Sequence, residues 1–275
     1  MIDERAIIHP NAILEKNVSV GPWSVIGENV TIGEGTEIGS HVVIGENTRM
    51  GKGNKLSSFV SLGTDPQSIA YKGDETWLEI GDDNVIREFT TINRGTKQGR
   101  RVTRVGSKNY LMAYSHVAHD CIVGDHVTFA NLAQVAGHVE VGDHASLGAY
   151  TGVHQFCRIG AYTFLGRAAK VYQDILPYML VTGNPAVPTG INSIGLRRYG
   201  FSSDVMRVLK QAYQLICGRQ LKLNEICDEL AQLSKKVPEI QRLFDMVSTS
   251  TRGFSRPVSD ESLTNESTTV TGTDG

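Results

Sequence analysis

The sequence has few aromatic residues, few cysteines and no excess of basic charge. Aromatic side chains make up 7% of the 275 residues, and the four cysteines form no CxxC pair. The formal net charge of -2 gives no general attraction for nucleic acid. The cysteines are expected to be free thiols in a reducing cytosol. These scarcities argue against a nucleic-acid partner and against a cysteine-based metal site.

Long apolar stretches and targeting signals are also missing from the sequence. No apolar run is long enough to span a bilayer. The first ten residues, MIDERAIIHP, lack the basic start and apolar stretch of a signal peptide. We therefore expect a cytoplasmic protein with no integral membrane segment, although its substrate could still be destined for a membrane.

What the sequence has in abundance is an aliphatic or aromatic residue at every sixth position, over most of residues 1–171. A period of six fits neither a helix nor an ordinary strand alone. It is the hexapeptide signature of a parallel β-helix, in which three short strands make one coil of about 18 residues. The sequence therefore predicts that Ile8, Ile26, Ile44 and Leu62 stack in one column. A glycine often follows the apolar residue, which suits a position that needs unusual dihedrals or has no room for a side chain.

The repeat is interrupted twice and then ends. Residues 63–76 and 93–104 break the rhythm and are predicted to be external loops. After Val171 the repeat fades, and the apolar residues of 191–250 follow helical spacing, with Ser202 suited to cap the first long helix. The predicted fold is therefore mainly β: a parallel β-helix domain at 1–190 and a helical domain at 191–250. The polar tail at 251–275 is predicted to be disordered.

Six of the eight histidines lie between residues 116 and 154. They could be metal ligands, as in trimeric β-helix carbonic anhydrases, or include a general base, or be polar residues on exposed faces. His126 and His144 are 18 residues apart and should stack on one face, where the aspartate before each indicates turn chemistry. Both are therefore interpreted as exposed corner residues.

His119 stands apart because Asp120 follows it directly. A carboxylate beside an imidazole can fix its tautomer and support its positive form. His138 lies about one coil further on, and Gly137 before it could present an unhindered N–H to a developing oxyanion. The sequence has no GxSxG motif, and its cysteines have no evident base. General-base catalysis of a direct transfer is therefore the simplest interpretation.

Five stretches carry a resemblance to a known family: IREFTTINRGT (86–96), HVAHDCIVG (116–124), AGHVEVGD (136–143), VHQFCRIGA (153–161) and GLRRYGFS (195–202). Over roughly residues 1–250 the chain resembles the UDP-N-acetylglucosamine O-acyltransferases, which catalyse the first step of lipid A synthesis. The resemblance implies a left-handed coil, a homotrimer with active sites between subunits, and neither a cofactor nor a metal. It also implies transfer of an (R)-3-hydroxyacyl chain from acyl carrier protein to the 3-hydroxyl of UDP-N-acetylglucosamine.

The resemblance assigns roles to particular residues. His119 would be the general base, Asp120 would orient it, and the Gly137 N–H would hold the oxyanion. Arg167 would occupy the position of the acyl-chain ruler. The residues that would contact the sugar nucleotide or line its site are His116, His138, His154, Gln155, Asn192 and Arg198.

Several positions depart from the family pattern, mostly in the substrate site. The family usually has QDLKY where this chain has QSIAY (67–71), so Ser68 and Ala70 replace a charged pair. Ile194 and Tyr199 replace a common glutamate and a common basic residue, and Arg167 replaces a small or apolar one. Three alternatives stay open: a paralogue that acylates a different sugar, for example a 3-amino one, or uses a shorter acyl chain; a β-helix zinc protein; and a non-catalytic trimeric scaffold.

Overall fold

The structure, a computed structural model, describes residues 1–218 and 221–257 of the chain. Within these ranges, 27 short strands are followed by four helices. Consecutive strands belong to different sheets, and each of three sheets receives every third strand as far as β24 (Phe164–Leu165). The fold is a parallel β-helix, as the hexapeptide period predicts, and it is left-handed, as the family resemblance implies.

The three sheets are the three faces of a prism. Sheet 1 contains β1 (Ile7–Ile8), β4 (Val25–Ile26), β7 (Val43–Ile44), β10 (Ser61–Thr64), β13 (Thr91–Asn93), β16 (His116–Val117), β19 (Gln134–Val135), β22 (Gly152–Val153) and β25 (Lys170–Val171). Sheet 2 contains β2 (Ile13–Leu14), β5 (Thr31–Ile32), β8 (Thr48–Met50), β11 (Trp77–Ile80), β14 (Val102–Val105), β17 (Ile122–Val123), β20 (Glu140–Val141) and β23 (Arg158–Ile159). Sheet 3 contains β3 (Ser19–Val20), β6 (Glu37–Ile38), β9 (Lys55–Leu56), β12 (Val85–Ile86), β15 (Tyr110–Leu111), β18 (Thr128–Phe129), β21 (Ser146–Leu147), β24 (Phe164–Leu165), β26 (Met179–Thr182) and β27 (Val187–Ile191).

The core is built from stacked columns of the residues that repeat every sixth position. Ile8 pairs with Ile26, Ile26 with Ile44 and Ile44 with Leu62, so the predicted column is confirmed. Ile26, Ile44 and Leu62 are fully buried, whereas Ile8 lies in the open terminal coil and is only partly buried. Because one coil cannot cover its own apolar face, stacking of successive coils provides most of the hydrophobic stabilisation.

Most of the glycines that follow a core residue are needed for space rather than for their dihedrals. A Cβ on Gly33 would lie 2.5 Å from the carbonyl carbon of Gly51 in the next coil. The left-handed backbone conformation falls two residues after such glycines, at corner residues such as His41, whose φ is 58°. Corner side chains of successive coils therefore stack on one another. His126 and His144 follow this prediction, with ring centroids 4.8 Å apart.

Two irregular segments leave the coil where the repeat breaks. Residues 65–76 connect β10 to β11, and residues 94–101 connect β13 to β14. Across them Leu62 pairs with Ile92, and Ile92 with Val117. Partners on sheet 1 are therefore 30 and then 25 residues apart instead of 18. The additional residues form two loops that lie against the coil, one before β13 and one after it in the sequence.

The prism ends in the hairpin of β26 and β27, which pair antiparallel. Helices α1 (Ser193–Arg198), α2 (Ser203–Cys217), α3 (Leu223–Ser234) and α4 (Ile240–Thr249) follow it. Ser202 caps α2 as predicted, because its side chain accepts a hydrogen bond from the Val205 N–H. The buried Tyr178 donates from its hydroxyl to the Glu239 carbonyl at 2.9 Å and so ties the prism to the start of α4.

The segment after α4 does not fit the prediction of a disordered tail from residue 251. Phe254 pairs with Asp174 as a parallel bridge and is buried. The buried Ser255 donates from its hydroxyl to the Ala186 carbonyl at 2.6 Å. One apolar side chain and these backbone contacts fix residues 251–257 on the last coil. The rest of the predicted tail, residues 258–275, lies outside the described residues.

None of the helices among the described residues is long and apolar enough to cross a membrane.

Candidate active site

The predicted base and its neighbouring carboxylate lie at the corner between β16 and β17. The backbone of Asp120 has a φ of 61°, the left-handed conformation of a corner residue, and this turns its side chain back toward His119. The His119 Nδ1 is 2.9 Å from the Asp120 Oδ2. An ionised carboxylate can only accept, so His119 carries its proton on Nδ1 and leaves Nε2 free to accept one.

The Asp120 carboxylate is completely buried and is held by the loop at 94–101. Its two oxygens accept hydrogen bonds from the Thr96 N–H, the Thr96 hydroxyl and the Arg100 N–H, at 2.6 to 3.1 Å. Burial alone would raise its pKa. The hydrogen bonds from His119 and Thr96 outweigh burial, so the pKa of Asp120 lies below its ordinary value. The group therefore stays ionised at neutral pH and keeps His119 in one tautomer.

Two glycines leave the space that this pair occupies. A Cβ on Gly137 would lie 2.6 Å from the Cε1 of His119, and one on Gly99 would lie 2.4 Å from the Cγ of Asp120. Within the described part of the chain, the Gly137 N–H has no hydrogen-bond acceptor. Gly137 is thus free to donate, as the sequence predicts, and it also makes room for the imidazole, which the sequence does not indicate.

A cleft of about 400 Å³ opens beside His119. The predicted residues that line it are His116, His119, Gly137, His154 and Gln155. Four polar residues that the sequence analysis did not single out also line it: Gln67, Gln134, Lys170 and Tyr172. The repeat could have indicated three of these. Gln134 and Lys170 lie one and three coils after His116 on sheet 1, with Gly152 between them. Tyr172 is two residues beyond Lys170. Gln67 belongs to the first loop, which no periodicity places.

His116 and His138 flank the His119 imidazole in different ways. The His116 Nδ1 is 2.7 Å from the Thr91 hydroxyl, and its side chain lines the cleft. His138 does not line the cleft; it stands edge-on to His119, with ring centroids 5.2 Å apart, and stacks on Phe156 at 4.4 Å. Burial lowers the pKa of both His116 and His138. Both are therefore expected to be neutral at neutral pH.

The remaining predicted residues lie elsewhere on the prism. Asn192 and Arg198 line a separate cavity of about 520 Å³ on sheet 3, together with Ile194 and Tyr199. Asn192 also caps α1: its side chain accepts from the Gly195 N–H at 3.1 Å and donates to the Tyr162 carbonyl at 2.9 Å.

Arg167 follows the sheet 3 strand β24 and extends over the ring of Tyr150, with its guanidinium carbon 5.4 Å from the ring centroid. It lines neither the His119 cleft nor the Asn192 cavity. The structure of one chain therefore does not bring these three residues to His119.

Two alternative chemistries fit this site poorly. His119, Asp120 and His138 are close enough to hold a metal ion, with ligand atoms within 4.8 Å of one another. A catalytic zinc site usually has three protein ligands, and here the carboxylate would have to give up the hydrogen bonds from Thr96 and Arg100. Burial also raises the pKa of Cys121 to about 12, which rules out a thiolate nucleophile at neutral pH.

We expect the free energy of unfolding to fall as the pH is lowered from about 7.5 to about 5.5, partly because of His116 and His138. Their folded-state pKa values lie below the value of about 6.5 for an unfolded chain, so the unfolded chain binds protons that the folded chain does not. The stability is thus lost as the pH falls through about 6.5. Urea unfolding at both pH values should show a weaker pH dependence in the His116→Gln/His138→Gln variant. An unchanged dependence would contradict this assignment.

Comparisons with known proteins show which family the chain belongs to. A family model described as UDP N-acetylglucosamine O-acyltransferase, domain 2, matches residues 174–255. An acyl-[acyl-carrier-protein]–UDP-N-acetylglucosamine O-acyltransferase from Alkalilimnicola ehrlichii is 49% identical over 255 residues, which cover 93% of this chain and 99% of that protein.

Two solved structures are similar along almost the whole chain. The structure of LpxA from Acinetobacter baumannii has a TM-score of 0.91 at 45% identity and covers 93% of this chain and 99% of its own. The UDP-N-acetylglucosamine acyltransferase of Francisella novicida has a TM-score of 0.93 at 39% identity and covers 95% of this chain and 96% of its own. These findings confirm the resemblance that the motifs indicated, and the chain belongs to the acyl-[acyl-carrier-protein]–UDP-N-acetylglucosamine O-acyltransferase family.

Proposed function

We propose that this protein transfers an (R)-3-hydroxyacyl chain from acyl carrier protein to the 3-hydroxyl of UDP-N-acetylglucosamine, the first step of lipid A synthesis, in the cytoplasm. The observation that carries the proposal is the His119–Asp120 pair, joined at 2.9 Å, in which His119 lines the cleft and Asp120 is buried. The names of the relatives supply the donor and the acceptor. The histidine supplies the chemistry that such a transfer needs.

In the proposed mechanism His119 acts first as a base and then as an acid. Its Nε2 accepts the proton of the sugar 3-hydroxyl as the oxygen attacks the thioester carbonyl carbon. The carbonyl oxygen becomes an oxyanion, which the Gly137 N–H stabilises, and the buried Asp120 carboxylate stabilises the imidazolium. Collapse of the intermediate breaks the carbon–sulfur bond, and His119 returns the proton to the leaving thiolate.

The other polar residues of the cleft are suited to hold the acceptor sugar. With Nδ1 engaged by Thr91, the neutral His116 can offer Nε2 to a sugar hydroxyl. His154 and Gln155 line the same cleft, and both are exposed. His138 does not line the cleft in one chain, so we propose that it contacts the sugar nucleotide only at the edge of the site or through His119.

A panel of acceptors and donors tests the proposed function directly. Purified protein should acylate UDP-N-acetylglucosamine from 3-hydroxyacyl carrier protein, with one preferred chain length. Transfer only to a 3-amino analogue would support the paralogue instead, since Ser68 and Ala70 lie beside Gln67 in the loop that reaches the cleft. Transfer to neither acceptor, with stoichiometric zinc in the protein, would overturn the proposal.

We further propose that the active protein is a homotrimer in which two chains complete each site. A ladder of exposed aromatic residues runs along the edge between sheets 3 and 1; its members Trp23, Phe59, Phe89, Tyr114 and Tyr150 are between 43% and 56% exposed. An apolar strip of this length indicates a protein contact. This edge separates the face with the His119 cleft from the face with the Asn192 cavity. A cyclic assembly that packs sheet 1 of one chain against sheet 3 of the next would join them.

In such an assembly the residues that one chain leaves apart take up their predicted roles. Arg198, the last residue of α1, would reach the nucleotide end of a sugar bound in the cleft of the neighbouring chain. Asn192 would hold α1 and therefore Arg198 in place. Arg167, near the shared edge, would bound the acyl chain and limit its length.

We expect light scattering to give a mass of about three times the 30.0 kDa of one chain. A Phe89→Asp substitution should weaken the assembly, because it places a charge in the middle of a ladder that the assembly would bury. Trp77→Asp, at another aromatic residue, is not a suitable control, because the Trp77 ring packs under the Arg49 guanidinium. Ile69→Asp, at a fully exposed loop position, is the better control. A monomeric wild-type protein that is fully active would contradict the shared site.

A further inference from the structure

The two loops that leave the coil are joined to each other and to the base. Residues 94–101 lie between residues 65–76 on one side and Asp120 on the other. At the first end, Arg94 contacts the loop at 65–76, whose Gln67 lines the cleft. At the second end, Thr96 contacts the carboxylate that orients His119. A single residue, Gly95, therefore separates the support of the sugar side from the support of the base.

Arg94 is the main polar anchor of the loop at 65–76. Its side chain is 3% exposed. One guanidinium nitrogen donates to the Gly63 carbonyl at 2.8 Å; the other donates to the Asp65 carboxylate at 2.6 Å and to the Tyr71 hydroxyl at 2.8 Å. The same nitrogen is 3.3 Å from a carboxylate oxygen of Glu46 in the neighbouring coil. The buried arginine thus ties the start and the middle of the loop to the prism.

Other contacts of the loop lie at its start: the Asn93 side chain donates to the Asp65 carbonyl at 2.9 Å, and Pro66 is buried. The tip residue Ile69, in contrast, is fully exposed. The Lys97–Asp74 ion pair is a second link between the two loops, but Lys97 is 57% exposed, and exposed pairs contribute little. Arg94 bonds to both Asp65 and Tyr71, which lie on either side of Gln67 in the sequence, so the position of Gln67 in the cleft depends on Arg94.

We propose that Arg94 and Thr96 form a two-ended brace: Arg94 is a positioning residue for the acceptor-binding loop, and Thr96 is a positioning residue for the Asp120–His119 pair. The inference rests on the proposed function, because it takes the cleft to be the acceptor site. Neither residue touches substrate in this proposal. Loss of the Arg94 end should weaken binding of the sugar, whereas loss of the Thr96 end should slow the chemical step.

The test compares steady-state kinetics for both ends of the brace. Arg94→Lys keeps the charge but loses the forked geometry, and Tyr71→Phe removes one acceptor from the exposed side of the contact. We expect each to raise the KM for UDP-N-acetylglucosamine, by about tenfold for Arg94→Lys, in line with the strength of hydrogen bonds to charged groups. The kcat and the KM for the acyl carrier protein should stay within about twofold of wild type.

Thr96→Val is the matched change at the other end, because it removes the hydroxyl at nearly constant volume and keeps the Thr96 N–H. We expect a lower kcat, by about tenfold, with the KM for the sugar unchanged. Lys97→Ala, which removes the exposed link between the same loops, should match wild type in both constants. Titration calorimetry with UDP-N-acetylglucosamine should show weaker binding for Arg94→Lys and unchanged binding for Thr96→Val.

The outcomes separate this inference from the proposed function. If the wild-type protein neither binds nor acylates UDP-N-acetylglucosamine, the proposed function fails. If the wild-type protein does both, but Arg94→Lys and Tyr71→Phe bind the sugar normally, the brace is overturned. A fall in kcat in all three variants, with no change in KM, would show a common structural defect and would also overturn it. Melting temperatures within a few degrees of wild type confirm that the variants are folded.

Discussion

Replacing His119 by alanine is expected to lower kcat for acyl transfer by about 10²–10⁴-fold, the usual contribution of a positioned general base. His119 is the only one of the cleft histidines whose Nδ1 bonds to a buried carboxylate; His116 bonds to the Thr91 hydroxyl and His154 to the Gln155 carbonyl among the described residues. Its loss removes the proton acceptor for the sugar hydroxyl. The KM for the sugar should change much less, because several other groups line the cleft.

His126→Ala is the matched control for this substitution. His126 is also a histidine beside an aspartate, but it is exposed and stacks on His144 at another corner of the prism. It should keep full activity, and both variants should bind UDP-N-acetylglucosamine as tightly as wild type does. A His119→Ala protein with more than about a tenth of wild-type kcat would show that another group takes the proton.

The same variant also tests the zinc alternative. If His119, Asp120 and His138 held a catalytic metal, His119→Ala should lose both metal and activity, and a chelator should inactivate the wild-type protein. The hydrogen bonds that fill the Asp120 oxygens lead us to expect no effect of a chelator on transfer.

The fold could be predicted from the sequence because one periodicity determines it. Each apolar residue at the sixth position pairs with its counterpart in the next coil, as Ile26 does with Ile44. The period says nothing about the hand of the coil, which was taken from the family. It also left the purpose of the glycines open between dihedral freedom and space, and the short distances beneath Gly33 decide for space.

The candidate site could be predicted only where its residues are neighbours on the coil. His119 and Asp120 are adjacent in sequence, and Gly137 lies one coil further on, so the repeat places them together. Thr96 and Arg100 were missed because they reach Asp120 across 24 and 20 residues, from a loop that obeys no period. Thr96 lies in the motif at 86–96, but the motif gave it no role; for Arg100 the only signal was the interruption of the repeat.

Asn192, Arg198 and Arg167 show a different limit. Sequence resemblance assigned them to the same active site as His119, yet in one chain they lie near or on sheet 3 while the cleft lies on sheet 1. A motif records that residues act together, not which copy of the chain provides each one. A second subunit, as proposed above, would supply these residues to the cleft without moving any strand.

Replacing Asp120 by asparagine is expected to lower kcat by about 10³-fold, almost as much as the loss of His119 itself. The two Asp120 oxygens accept hydrogen bonds on both sides: from the Arg100 N–H on Oδ1, and from the Thr96 hydroxyl and the His119 Nδ1–H on Oδ2. An amide has one oxygen and one NH₂ group, so in either orientation its NH₂ faces a donor. If it faces His119, the imidazole must take the other tautomer, and Nε2 then carries a proton and cannot accept one.

If the amide turns the other way, its NH₂ faces the Arg100 and Thr96 N–H groups in a fully buried position. That arrangement leaves donors without an acceptor and should lower the free energy of unfolding by about 1–3 kcal/mol. Thermal unfolding therefore reports which orientation the amide adopts, and kcat reports how far His119 can still act as the base. Sugar binding should persist in both cases, because Asp120 does not line the cleft. If Asp120→Asn is as stable and as active as wild type, the carboxylate neither fixes the tautomer nor supports the imidazolium, and the proposed base mechanism would have to be abandoned.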